Sequence, residues 1–206
     1  MGTVTLGVSI AVPEPYGSLL QQRRTDFGDT AALGIPTHVT LLPPTEVRPG
    51  ERPAVDAHLA AVAARTAPFA MRLRGTDSFR PLTPVVFVRV VEGAEECARL
   101  QRLVRGGDGG DGAGRADGTG GTAGPLAREL QFPYHPHVTV AHGIDEAAMD
   151  RAAAELADFE AAWTAGGFAL YEQGAGDGVW RLRRAFTFAE GGSHAASART
   201  TGRPSP

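Results

Sequence analysis

The chain has 206 residues, a formal charge of −3 and a hydrophobic fraction of 42%, which suits one domain, or one domain made of two halves, and excludes a wholly disordered chain. All 20 basic residues are Arg, set against 23 acidic ones, a balance that argues against a general nucleic-acid coat or a membrane-surface protein, so any RNA contact should be local. The single cysteine, Cys97, excludes a disulfide framework and a cysteine zinc cluster.

The N-terminus has no basic n-region and already reads as a strand, Val4–Val12, rich in β-branched residues. Tyr16–Phe27 comes after two prolines and reads as a helix. His38–Leu42 is a short strand stopped by Pro43 and Pro44. Pro53–Thr66 is a helix with Val55, Leu59 and Val62 at helical spacing, and Phe69–Leu73 returns to strand. Val85–Val91 is the longest apolar run; it is too short to span a bilayer and contains Arg89. Ala94–Val104 is a helix with Arg99, Arg102 and Arg105 on a solvated stripe. Residues 106–124 hold ten glycines in nineteen positions and cannot offset their ordering entropy by burial, so they predict a flexible loop. His137–Ala141 is a strand, Asp145–Phe159 a helix with Asp145 at its N-cap, and Trp163–Tyr171 and Val179–Phe188 are two closing strands. The stretch 191–206 is poor in apolar residues and predicts a disordered tail. The expectation is a soluble, cytoplasmic, monomeric protein whose folded domain spans 1–190.

The chain repeats itself. His38-Val-Thr-Leu is followed by a helix and Phe69-Ala-Met, and His137-Val-Thr-Val by a helix and Phe168-Ala-Leu, with 31 residues from His to Phe in both. Gly7 in the strand upstream lies 31 residues before His38, and Val85 lies 33 before His137 once the 19-residue insert is removed. Two copies of one α/β unit are expected to pack about a pseudo-twofold axis with a cleft between them.

On a strand, residues i and i+2 share a face, so His38 projects with Thr40, and His137 with Thr139, while Val39, Leu41, Val138 and Val140 point to the core. If the copies pack symmetrically, two imidazoles and two hydroxyls meet in the cleft. That set suits phosphodiester chemistry. A neutral imidazole takes a proton from attacking water, a protonated one gives a proton to the leaving alkoxide, and the hydroxyls donate to the non-bridging oxygens. No metal or cofactor is required. The competing reading is that both histidines are plain strand residues satisfied by backbone partners.

These paired H-x-T-aliphatic motifs, within Pro36-Thr-His-Val-Thr-Leu-Leu-Pro-Pro and Phe132-Pro-Tyr-His-Pro-His-Val-Thr-Val-Ala-His, resemble those of the two-histidine (2H) phosphoesterases, which include bacterial 2'-5' RNA ligase-like proteins and 2',3'-cyclic phosphodiesterases. The likeness spans Val4 to Phe188. It implies an α+β fold of duplicated lobes, two mainly antiparallel sheets around a central cleft. It also implies metal-independent opening of 2',3'-cyclic phosphates, on RNA 3' ends or small nucleotides, with His38 and His137 as the acid/base pair and Thr40 and Thr139 binding phosphate. His38 is assigned as the acid and His137 as the base, an order the sequence leaves open. The alternatives are a nucleotide-sensing module with little turnover, 2'-5' ligase-type transfer, and a scaffold whose H-x-T strands serve only the core.

Beside the motifs, Tyr134 and His135 are candidates to line the cleft, Phe79 to stack a base and Arg80 to read a phosphate. His135, His137 and His142 form a weak metal pattern without a nearby carboxylate, and no metal site is expected. His142 reads as structural, His58 as a surface residue in mid-helix, and Cys97 as inert.

Overall fold

Strands and helices alternate as β1 Val4–Ala11, α1 Tyr16–Asp26, β2 His38–Val47, α2 Arg52–Ala64, β3 Phe69–Ser78, β4 Val85–Glu92, α3 Ala94–Val104, β5 His137–His142, α4 Glu146–Glu155, β6 Glu160–Ala165, β7 Gly167–Gln173 and β8 Trp180–Thr187. These come from a computed structural model that describes residues 2–106, 124–128 and 130–189. The loop expected at 106–124, except its two end residues, and the tail expected at 191–206 lie outside the described residues.

The strands form two antiparallel four-stranded sheets, sheet A in the order β2-β1-β7-β8 and sheet B in the order β5-β4-β3-β6. The orders superpose element for element: β2 on β5, β1 on β4, β7 on β3 and β8 on β6. The expected α+β pair of lobes is thus present, but the lobes are not the two halves of the chain. After α2 the chain crosses to sheet B as β3, pairing with β4 and β6. After β6 it crosses back at Gly166 to enter sheet A as β7, beside β1. The repeated Phe-Ala segments at 69 and 168 therefore correspond, yet each sits in the sheet built around the other motif. The helices exchange likewise: α1 packs against β5 and α3 against β2. One continuous set of buried apolar side chains runs through both sheets, including Leu6, Val39 and Leu41 from sheet A and Val86, Val138 and Val140 from sheet B.

Four boundaries depart from expectation, each for a tertiary reason. The strand expected to stop at Pro43 runs on to Val47. It is a sheet edge, where an absent N–H costs no ladder bond, and Pro43 and Pro44 form a bulge opposite Gly7 between the pairs Leu6↔Thr45 and Val8↔Leu42. The strand expected to end at Leu73 continues to Ser78 through Gly75, whose φ of 63° favours glycine. The last helix keeps the expected cap, with the Ala148 amide donating to the Asp145 carboxylate at 2.9 Å. It stops at Glu155 because sheet B captures the next stretch of chain: the Gly75 amide donates to the Phe159 carbonyl at 3.0 Å. The single strand expected at Trp163–Tyr171 is two strands in different sheets. His58 also differs from expectation. It is half-buried, and its Nε2 donates to the carbonyls of Leu103 and Val104 at 3.1 and 2.9 Å, capping the C-terminus of α3 from α2.

Candidate active site

β2 and β5 are the corresponding edges of the two sheets, and they pack beside each other. Along β2, Val39 and Leu41 are buried while His38 and Thr40 are half-exposed. Along β5, Val138 and Val140 are buried while His137 and Thr139 are half-exposed. The equivalent pairs are thus half-exposed on strands that pack beside each other; His38 and Thr139 meet in one cleft, while His137 lies against the rings of Phe79 and Phe87 and is not among the residues lining it.

Both rings are oriented in the same way. His38 Nδ1 bonds the Pro36 carbonyl at 2.6 Å and His137 Nδ1 bonds the His135 carbonyl at 2.8 Å, in each case two residues upstream. A carbonyl only accepts, so each Nδ1 carries the hydrogen and each Nε2 is left with its lone pair for chemistry. The chain leading into β2 is pinned to α1. The Thr37 hydroxyl bonds Gly17 O at 3.1 Å and Gln21 Oε1 at 2.9 Å, and Gln21 Nε2 donates to the carbonyls of Ala32 and Ile35. The chain leading into β5 is pinned to β2, because Tyr134 donates its hydroxyl to the Thr40 carbonyl at 2.8 Å.

His38 and Thr139 line a cleft of about 490 Å³, bounded also by Arg24, Leu33, His142 and Trp180. His38 and Thr40 line an adjoining recess of about 170 Å³ that shares Ile35 and Trp180 with it. Arg24 is held by a buried ion pair to Asp29, with Nη2 at 2.7 Å and Nε at 3.2 Å from the same carboxylate oxygen. Burial, chiefly, with the charges of Arg24 and His137, lowers the His38 pKa from 6.5 to about 4 against the opposing pull of the Pro36 carbonyl. Burial also lowers the pKa of His137. Burial thus disfavours the charged form of both rings.

The remaining candidates divide. His135 and Phe79 stand around His137: the Phe79 ring is 4.9 Å from it edge-on, Phe87 lies 5.2 Å away, and Phe79 and Phe87 are 4.4 Å apart. His135 packs its ring on both phenylalanines, at 5.5 Å from Phe79 and 5.3 Å from Phe87. Tyr134 spends its hydroxyl on the inter-sheet bond. Arg80, expected to read a phosphate, is engaged elsewhere, with Nη2 2.8 Å from the Asp150 carboxylate and Nε 3.2 Å from Ser78 Oγ. His142, read as structural, is exposed at the end of β5 and borders the cleft. Sequence reasoning missed Arg24, Ser9 and Trp180. They stand far from either motif in sequence, and only the pairing Ser9↔Thr40 and the crossing of β7 and β8 into sheet A bring two of them there. Among the described residues no group of three or more His, Cys, Asp or Glu side chains is placed to hold a metal ion, and no helix is long and apolar enough to cross a membrane.

Two exchanged lobes with a histidine–threonine pair from each at their join define an α+β protein of the two-histidine type. A family model of the 2'-5' RNA ligase superfamily matches residues 12–177, and the chain belongs to that superfamily of 2H phosphoesterases. The fold is similar to TT0787 of Thermus thermophilus, at 22% identity and a TM-score of 0.59 over 91% of this chain and 99% of that one. It is also similar to E. coli LigT, solved with 3'-AMP at 15% identity and a TM-score of 0.57, and with ATP at 16% and 0.58, each over 92% of this chain and all of LigT. A comparison with curated proteins gives no match.

Proposed function

We propose that the cleft hydrolyses 2',3'-cyclic phosphates of RNA 3' ends or small nucleotides, without a metal ion. The observation that carries this is the matched pair of histidines. Each has its Nδ1 tied to a carbonyl two residues back, each leaves Nε2 free, and the strands that carry them, β2 and β5, pack side by side.

Nε2 of neutral His137 takes a proton from water as its oxygen attacks phosphorus. The bond from phosphorus to the ribose 3'-oxygen breaks, and that oxygen takes the proton carried on Nε2 of His38, leaving a 2'-phosphate and a free 3'-hydroxyl. We assign His38 as the acid and His137 as the base; burial disfavours the charged form of both rings. The anionic substrate offsets the charge of Arg24 and lets the His38 cation form. Thr40 and Thr139 donate to the non-bridging oxygens, where charge grows in the transition state, and Arg24 supplies the cationic field. Arg80, bound to Asp150, has no part in this reading. The nucleotides carried by E. coli LigT, 3'-AMP and ATP, support a ligand of this class.

The test is a panel of cyclic phosphates with the product read by phosphorus NMR, for wild type and His137→Ala, with and without EDTA. The expected result is a 2'-phosphate formed equally in EDTA and lost in the variant. Activity abolished by EDTA, or a His38→Ala/His137→Ala double variant as active as wild type, would overturn the proposal. Nucleotide binding with no turnover across the panel would favour a sensing module instead.

A further inference from the structure

The two halves of the cleft correspond in their catalytic-type residues but not in what lies beside them. Across the ladder from Thr139 sits Phe87, and across from Thr40, at the equivalent place, sits Ser9. On the sheet B side the rings of Phe79, Phe87 and His135 fill the space next to His137. On the sheet A side the equivalent space is the recess of about 170 Å³ beside His38 and Thr40. Ser9 lines it; the residue is only 4% exposed, and its hydroxyl has no hydrogen-bond partner among the described residues. An unpaired buried hydroxyl is costly by itself and is an asset where a polar ligand completes it.

Trp180 borders both the recess and the larger cleft. Its indole reaches from β8 across β7 to lie over β1 at Gly7. A Cβ at that position would stand 3.0 Å from Cζ3 and 3.3 Å from Cη2, closer than side chains ordinarily pack, so the ring would have to give by a few tenths of an ångström. Gly7 thus leaves room for the ring, which borders two open spaces that His38 also lines. A half-exposed indole beside a phosphate-type site is a platform for a flat heterocycle, because every nucleobase has a π-face to offer it.

We propose that the nucleoside bearing the phosphate lies on the sheet A half of the cleft, with its base stacked on Trp180 and its sugar–phosphate oxygens completed by Ser9. This rests on the phosphodiesterase reading for its kinetic test, and it makes the duplicated site one-sided: sheet B, packed with phenylalanine, holds its histidine against the phosphate, and sheet A recognises the nucleoside.

The experiment compares adenosine 2',3'-cyclic phosphate with the base-less methyl riboside 2',3'-cyclic phosphate. Wild type should prefer the nucleotide in kcat/KM. Trp180→Leu should lower that preference by roughly tenfold to a hundredfold, the range that one stacked base supports, mainly through KM. Trp180→Phe should lower it less, and Gly7→Val, which displaces the indole without removing it, should act as Trp180→Leu does. Ser9→Ala should raise KM for both substrates. Circular dichroism and the thermal midpoint show which variants are folded, and Trp180→Phe carries the test if the larger change unfolds the protein. An unchanged preference in a folded Trp180 variant overturns the proposal. If wild type turns over neither substrate, the phosphodiesterase reading fails, and calorimetry with 2'-AMP and ribose 2-phosphate decides the pocket separately. Tighter binding of 2'-AMP that Trp180→Leu removes supports the pocket, and equal binding of the two ligands overturns it.

Discussion

The hydroxyl of Tyr134 donates to the carbonyl oxygen of Thr40 at 2.8 Å, joining the segment that leads into one histidine strand to the backbone of the other. The bond is half-buried and crosses between sheets, so it bears on the spacing of the two motifs as well as on stability. Tyr134→Phe keeps the ring and deletes the bond, which should cost roughly 0.5–1.5 kcal/mol in denaturant unfolding. The accompanying fall should be in kcat rather than KM, because the hydroxyl is engaged by the Thr40 carbonyl. A variant with wild-type stability and wild-type kcat would show that the bond positions nothing.

His38 and His137 should behave as one unit. Each alanine variant is expected to lose about 10²–10⁴-fold in kcat, the usual span for a positioned acid or base. The double variant should lose little more than the worse single one, because removing either partner already breaks the proton path. Thr40→Val and Thr139→Val keep the branched shape that suits a strand and remove only the donor, and each should reduce kcat/KM. Steady-state kinetics on adenosine 2',3'-cyclic phosphate measures all four variants.

Titration of the free enzyme should be acid-shifted. With His38 pushed down to about 4 and His137 also below its ordinary 6.5, the bell of kcat/KM should peak on the acid side of pH 6.5. The kcat profile should lie at higher pH, since a bound anion favours protonation. A kcat/KM still rising above pH 8 would contradict this. Stability is linked to the same shift. The unfolded chain binds a proton at His38 near pH 6.5 and the folded one only near 4, so the unfolded state holds more protons across that window. Stability should then rise with pH through it and fall as pH drops from 6.5 towards 4. His38→Asn should flatten that part of the melting-temperature curve.

Arg24 and Asp29 form a pair with side chains 6% and 1% exposed. Arg24→Met strands a buried carboxylate and should cost about 3–5 kcal/mol, whereas Arg24→Met/Asp29→Leu, which removes both charges, should recover most of that loss. Because the charge of Arg24 helps to hold His38 low, the folded double variant should show a higher His38 pKa by proton NMR and weaker phosphate binding. An unmoved His38 titration would remove Arg24 from the site.

The local pattern alone determined much of this protein. Strand alternation placed His38 with Thr40 and His137 with Thr139 on one face, and the 31-residue spacing revealed the repeat. Period-2 and period-3.6 patterns are written in neighbouring residues, which is why β1, α3 and β5 were legible within a residue or so. Three things were decided only in three dimensions. Partner choice put β3 and β7 in exchanged sheets, since a strand's own residues do not say which edge it joins. The edge position of β2 let it run through Pro43 and Pro44, because an edge needs no N–H there. The electrostatics of the site came from Arg24, and its one-sidedness from Ser9 against Phe87, residues remote from the motifs in the chain. Burial, charge proximity and unfilled space are properties of what surrounds a residue, and those surroundings are assembled only by long-range pairing.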